Sequence, residues 1–238
     1  MEYGWSLIDR QTVNSLAAFV MEPILSTGGV LEPPKAYLTK MSIESKKRGI
    51  LMILNEAQMG VRCISQMIAF PHEEGFVSDV LCLSKTLGCG LPLSSISTTA
   101  EIEHGANAAG FMWLTTHTND PFPAANGDRV LDIVERYGIC ERAAEHSEQL
   151  FQGLLRLQKK YWCIGDVRGR GLLQGVESIS DVETKASGSA LGQAVSERAL
   201  GKGLSCNIIT YPGMGDFFRL ATPSHGDRYR NRRGTRNS

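Results

Sequence analysis

The strongest constraint on this 238-residue chain is a run of strand length, ILMILNEAQMG at residues 50–60. It is apolar until it breaks into Asn55, Glu56, Ala57 and Gln58. Such a run reads as a buried strand that carries polar groups to its C-terminal end, where open α/β sheets bind ligands. Shorter runs of the same kind follow it and precede it. LAAFVMEPI (16–24) reads as a strand ending at Glu22-Pro23, and DVLCLSK (79–85) and PLSSISTT (92–99) as two more. STGGV (26–30) is a loop. Pro33 and Pro34 suit the first turn of a helix that closes at Gly49. A helix is expected over 100–109, and helical periodicity runs from Ala124 to about Lys160 with a break near Gly138. GFMWLTTHTNDPFP (110–123) is irregular. GLLQGVE (171–177) and LSCNIIT (204–210) are strand-like and flank a helix near 190–202. This alternation predicts an α/β fold with βαβ units and a largely parallel sheet. A smaller unit is expected from residue 140 to 223, after a larger one over 1–139.

Composition narrows the function classes. Apolar residues make up 42% and charged residues 21%, enough to bury a core. The formal net charge is zero, so the whole molecule carries no electrostatic case for nucleic acid. Arg228, Arg230, Arg232, Arg233 and Arg236 crowd the last residues. Taking them and Asp227 from totals of 25 basic and 25 acidic residues leaves 20 against 24. A basic tail can bind nucleic acid or acidic lipid; with Tyr229 as its one aromatic residue, 224–238 is expected to be a solvated, disordered end. No apolar stretch reaches the ~20 residues that cross a bilayer. No targeting signal is visible, so a cytoplasmic protein is expected. The six cysteines show no paired or metal-type spacing; reduced thiols are expected, several of them as small core residues in apolar runs. His72, His104, His117, His146 and His225 fit no metal motif, so no metal site is expected. G-x-S-x-G is absent, and GDVRGRGLLQG (165–175) fails the G-x-G-x-x-G spacing.

Lys85, at the end of a strand-like run, has two readings. It can snorkel to solvent, or it can be a desolvated amine ready to form a Schiff base. Gly88 and Gly90 beside it would allow a flat ligand to approach. Asn55 and Gln58 lie upstream at a strand end, and Thr115, Thr116 and His117 downstream in a Pro-bounded loop. Polar groups converging on a lysine suggest a pocket. Asp79 could cap a strand or hydrogen-bond a loop, and no chemistry is assigned to it.

Six stretches occur in a telling order: LAAFVMEPILSTGGVLEPP, LMILNEAQMGV, SDVLCLSKTLGCGLPL, TTHTNDPFPAANG, CIGDVRGRGLLQGVE and PGMGDFFRLATP. Together they resemble the class III (fold type I) pyridoxal-phosphate (PLP) aminotransferases, and most closely the 2,2-dialkylglycine decarboxylase branch. The resemblance runs from near the start to about Pro223 and implies a partial PLP-binding large domain followed by an incomplete α+β small domain. Lys85 matches the lysine that forms the Schiff base with PLP and then moves protons at the substrate α-carbon. Gln58 matches the residue that bonds the cofactor's phenolic oxygen. Thr116 matches a threonine that reaches the cofactor phosphate of the neighbouring subunit, which implies a dimer, with itself or with a full-length homologue. Arg219 matches the clamp for the substrate carboxylate, and Glu22 a glutamate on the substrate side. His117 either lines the cofactor loop or is structural. The implied substrates are amino acids or amines and a keto acid.

The chain departs from the resemblance at Asn55, where the family has the aspartate that pairs with the cofactor's ring nitrogen. A neutral amide can bond that nitrogen but cannot stabilise its positive charge, and the protonated ring is the electron sink. Its start also corresponds to the middle of a family member, without the phosphate-binding loop and the aromatic residue that stacks on the ring. Family-like sequence stops after RLATP. Two expectations follow: a PLP-dependent transaminase or decarboxylating transaminase slowed by Asn55 and the missing parts, or a non-catalytic remnant that folds marginally or docks onto an intact homologue.

Overall fold

The computed structural model describes residues 1–222 except 14, 62, 70–74, 212 and 214. The arginine-rich tail, His72 and His225 lie outside the described residues. Helix α1 (Glu2–Gln11) leads into strand β1 (Ala18–Met21), helix α2 (Tyr37–Lys46), β2 (Leu51–Asn55), β3 (Val80–Leu83) and β4 (Ser95–Thr98). The first sheet has the order β1-β2-β3-β4. β1, β2 and β3 are parallel, with Ala18 opposite Leu51 and Asn55 opposite Cys82. β4 runs antiparallel to β3, so the expected parallel sheet is present with one reversed edge.

β2 shows why the sequence reads as it does. Met52 and Leu54 are fully buried beneath α1 and α2, packed with Trp5, Leu38, Met41 and Phe76. Leu51, Ile53 and Asn55, on the opposite face, are only half-buried. The strand expected to be buried is fully buried on one face and half-buried on the other. Asp79 is structural: its amide donates to Met52 O at 3.0 Å and its carboxylate accepts from Met52 N at 2.7 Å. It therefore extends the β2–β3 ladder, in line with the loop-bonding reading.

The next elements are α3 (Ala100–Ala108), α4 (Pro121–Arg136) and α5 (Ile139–Lys160). Gly138, at φ 54°, breaks α4 from α5 where the sequence placed a break. α4 starts earlier than expected, because Asp120 caps it by accepting from Phe122 N and Pro121 fills the first turn. α2 starts later: Ala36 has φ 61°, and Pro33 and Pro34 precede the helix instead of opening it.

A second sheet follows, built from β5 (Ile164–Arg170), β6 (Leu173–Ser178), β7 (Ile208–Tyr211) and β8 (Gly215–Ala221), with helix α6 (Ser189–Gly201) between β6 and β7. Its order is β5-β6-β8-β7, antiparallel throughout. Leu150 and Leu154 of α5 pack on Val167, Val176 and Phe218 of this sheet. Ile24, Val30, Met59, Ile64, Leu173 and Phe217 form the core where the two sheets meet. Three arginines of the second sheet hold the loop after β1 across that seam. Arg168 donates to Gly29 O at 2.7 Å, Arg170 to Glu32 at 2.6 Å, and Arg219 to Thr27 at 2.8 Å. The cysteines are free thiols; five are half-buried, of which Cys140 and Cys206 pack against core clusters, and Cys89 is exposed.

Candidate active site

The C-terminal ends of β1, β2 and β3 open on the same side, because the three strands are parallel. β1 is followed by Glu22 and the loop 25–31, β2 ends at Asn55, and β3 is followed by Lys85. Loops at this edge are free to carry polar groups, since the strands beneath satisfy their own backbone.

A chain of hydrogen bonds links these loops to the second sheet. Glu22 Oε2 accepts from Ser26 N at 3.1 Å. Arg219 Nη1 donates to Ser26 Oγ at 3.4 Å and to Thr27 Oγ1 at 2.8 Å. Gln58 Nε2 donates to the same Thr27 oxygen at 3.0 Å. Glu22, Gln58 and Arg219 are therefore joined through Ser26 and Thr27, two residues of the loop STGGV to which the sequence assigns no role. Two hydroxyls after a strand and before Gly-Gly were the available signal. Among the described residues Arg219 forms no salt bridge; neutral hydroxyls hold it, so its charge remains available to an anion.

Asn55 and Glu56 divide the work at the end of β2. Glu56 is 1% exposed, and its Oε2 accepts from Ala69 N at 2.6 Å, which fastens the loop after β2. Asn55 is half-buried, and its Oδ1 accepts from Ala57 N at 3.1 Å. Cys82, opposite Asn55 on β3, has its thiol pushed up by burial and stays protonated.

Lys85 stands in a left-handed conformation, φ 47°, at the start of a single 3-10 turn, Lys85–Leu87. That conformation is costly for a residue with a Cβ, and such outliers cluster at functional sites. Ser84 Oγ donates to Leu93 O at 3.1 Å, and Leu87 is buried against Val61, Val134 and Ile139, so the turn is anchored on both sides. Lys85 itself is exposed, because β3 stops at Leu83 and the chain turns out of the sheet there. Of the two readings of this lysine, the exposed one describes it. Of the two glycines beside it, Gly88 leaves no room for a ligand and Gly90 stands in open space. A Cβ at Gly88 would stand 2.1 Å from Leu91 O, so the chain itself fills that space, and Gly90 is exposed at φ 107°.

Thr116 and His117 lie on an exposed turn, apart from the hydrogen-bond chain above. Thr115 N donates to Thr118 Oγ1 at 3.0 Å, and His117 Nδ1 is 3.6 Å from Asp120 Oδ2. Among the described residues no group of His, Cys, Asp and Glu is arranged to hold a metal, and no helix is long and apolar enough to cross a membrane.

The donor set suits PLP. PLP chemistry calls for an amine, hydrogen-bonding amides and a cation for a carboxylate, and the exposed amine of Lys85, the amides of Asn55 and Gln58 and the guanidinium of Arg219 are groups of those types.

Comparison with known proteins gives one consistent result. A family model for class-III aminotransferases matches residues 4–221. An uncharacterized aminotransferase of Schizosaccharomyces pombe is 41% identical over 223 residues, covering 94% of this chain and 50% of that protein. A Bacillus anthracis aminotransferase structure superposes with a TM-score of 0.89 at 26% identity, covering 97% of this chain and 53% of that one. An omega transaminase from Pseudomonas jessenii, solved in complex with PMP, superposes with a TM-score of 0.85 at 27% identity, covering 95% and 50%. The chain thus spans about half the length of the relatives it matches.

Proposed function

Because the chain belongs to the class-III aminotransferase family, a family that depends on PLP, we propose that it captures PLP at Lys85 and serves amino-group transfer between an amino acid or amine and a keto acid. The observation that carries this reading is Lys85, held at φ 47° just beyond β3, whose sheet neighbour β2 ends at Asn55. PLP, when bound, supplies an aldehyde for amines and a ring that draws electrons from the substrate α-carbon.

The chain's own residues divide the remaining work. Lys85 offers its amine for covalent capture and afterwards a base for the α-proton. Gln58, fixed by Thr27, keeps a second N–H for the cofactor's phenolic oxygen. Arg219 receives the substrate carboxylate, and its planar fork favours a bidentate pair. Ser26 and Thr27 orient that fork. Glu22 borders the substrate side and fixes the loop through Ser26 N. Thr116 serves the phosphate of a neighbouring subunit. The exposure of Lys85 is a reason to expect that another chain or segment covers the mouth. A decarboxylating variant of the same chemistry, suggested by the resemblance to dialkylglycine decarboxylases, is the finer form of this reading.

A second reading draws on Asn55 and on the open apolar run Phe111–Leu114, where Met112 is 81% and Leu114 82% exposed. In that reading the chain turns over little by itself and pairs with an intact homologue.

The test is an absorbance spectrum of the purified protein with added PLP, run beside Lys85→Ala. A band that requires Lys85 supports capture and makes amino-acid assays informative. No band, or one that survives the substitution, refutes PLP capture by Lys85 and leaves the second reading.

A further inference from the structure

We infer that Asn55 donates a hydrogen bond to the ring nitrogen of the bound cofactor and so holds that nitrogen unprotonated. This rests on the reading above, in which Lys85 and Asn55 serve one PLP ring.

The orientation of the amide is dictated by its neighbour. Ala57 N lies 3.1 Å from one terminal atom of the Asn55 side chain. A backbone N–H can only donate, so that atom is the carbonyl oxygen. The other atom is then Nδ2, with two hydrogens to give and no lone pair to accept with. Among the described residues Nδ2 has no hydrogen-bond partner.

The geometry of the ring completes the argument. In PLP the aldehyde carbon and the ring nitrogen stand para to each other, so a ring joined to Lys85 presents its nitrogen on the far side. A protonated pyridine nitrogen offers an N–H, and an N–H facing an N–H repels. An unprotonated nitrogen offers a lone pair, which Nδ2 can meet. An aspartate at this position would keep the Ala57 contact with one oxygen and turn the other, charged oxygen to the ring, reversing the preference. The other titratable groups nearby do not offset this. Glu56 is committed to Ala69 N, Glu22 to Ser26 N, and Cys82 is a neutral thiol. Arg219, held by neutral hydroxyls, is a cation and brings no negative charge that would favour a protonated ring.

The consequence is a site that retains carbonyl capture and gives up most of the ring's electron withdrawal. The test uses PLP labelled with 15N at the ring nitrogen. Capture is first established from the Lys85-dependent absorbance band, and the 15N resonance of the complex is then followed across the neutral pH range. The wild-type signal is expected at the unprotonated pyridine position and insensitive to pH. Asn55→Asp is expected to move it to the protonated position. Asn55→Ala, a second variant, lacks the donor and is expected to leave the nitrogen titrating with pH. A wild-type signal at the protonated position, with capture intact, overturns this inference alone. Failure of Lys85-dependent capture overturns both it and the reading on which it rests.

Discussion

Arg219 Nη1 donates to Thr27 Oγ1 at 2.8 Å although 192 positions of chain separate the two residues. The same oxygen accepts from Gln58 at 3.0 Å, so one hydroxyl ties a loop of the first sheet to a strand of the second. Thr27→Val keeps the side-chain shape and removes the acceptor. It is expected to cost about 1.5–3 kcal/mol, the range for a hydrogen bond to a charged group. The urea midpoint, read at unchanged slope, measures it. A cost within a few tenths of a kcal/mol would show that the hydroxyl joins nothing of consequence.

Gly171 turns the β5–β6 hairpin at φ 60°, and a Cβ there would stand 2.4 Å from Ile64 Cα and 2.8 Å from Cys63 O. Both obstacles are backbone, and Leu172 N donates to Cys63 O at 2.9 Å, so the neighbour cannot withdraw freely. Gly171→Ala is expected to destabilise the protein by more than about 3 kcal/mol, combining backbone strain with overpacking. Thermal unfolding beside Gly49→Ala, which has positive φ but open space, separates the clash from the strain.

Arg48 fastens α1 to α2. Its guanidinium bonds Asp9 at 2.7 Å and Glu44 at 2.7 Å and lies 4.5 Å from the centre of the Trp5 ring. The Arg48 hydrogen bond holds the Asp9 carboxyl below its ordinary value; Lys47 and then Arg48 do the same for Glu44. Both groups are depressed in the folded state, so their contribution is present above the ordinary carboxylate range and is lost as pH falls through the folded values. The protection of α1 amides, relative to the intrinsic exchange rate at each pH, is expected to fall from about pH 4 downward. Arg48→Met should flatten that dependence. An α1 whose protection is the same on both sides of pH 4 in wild type would remove the ion pairs from its anchoring.

The run Phe111–Leu114 is open along its length, with Trp113 at 69% exposure. If it meets another subunit, Trp113→Ser with Leu114→Ser should shift sedimentation toward monomer and leave the circular dichroism unchanged. Identical sedimentation of variant and wild type would exclude this run from any interface.

The parts of the fold read most readily from the sequence were those fixed by local pattern. The apolar cores of β2 and β3, the glycine break at Gly138 and the long amphipathic α5 need little beyond neighbouring residues to identify them. The elements that escaped depend on distant partners. α1 contains Gly4, buries Trp5 alone, and is fastened by Arg48, 39 positions from Asp9. β5 carries Gly165 and Gly169, poor strand formers, and exists through its pairing with β6. β8 holds Arg219, which the resemblance identified as a site residue without revealing that it lies on a strand. The candidate site divides in the same way. Lys85, Asn55, Gln58 and Glu22 stood out as residue types at strand ends, and Arg219 came from the resemblance alone. Thr27 did not stand out, because its importance comes from two donors that the fold brings to it from 31 and 192 positions away.

β8 lies inside the second sheet, between β6 and β7, yet it is made after both of them. A ribosome releasing this chain at ~5–20 residues per second therefore exposes β7 before the strand it must pair with exists. Phe217 and Phe218, which fill the seam core and the α5 core, arrive in the same stroke as Arg219. Nascent chains arrested short of Gly215 would thus display two open apolar clefts to chaperones, and a few further residues would close both and seat the arginine on Thr27.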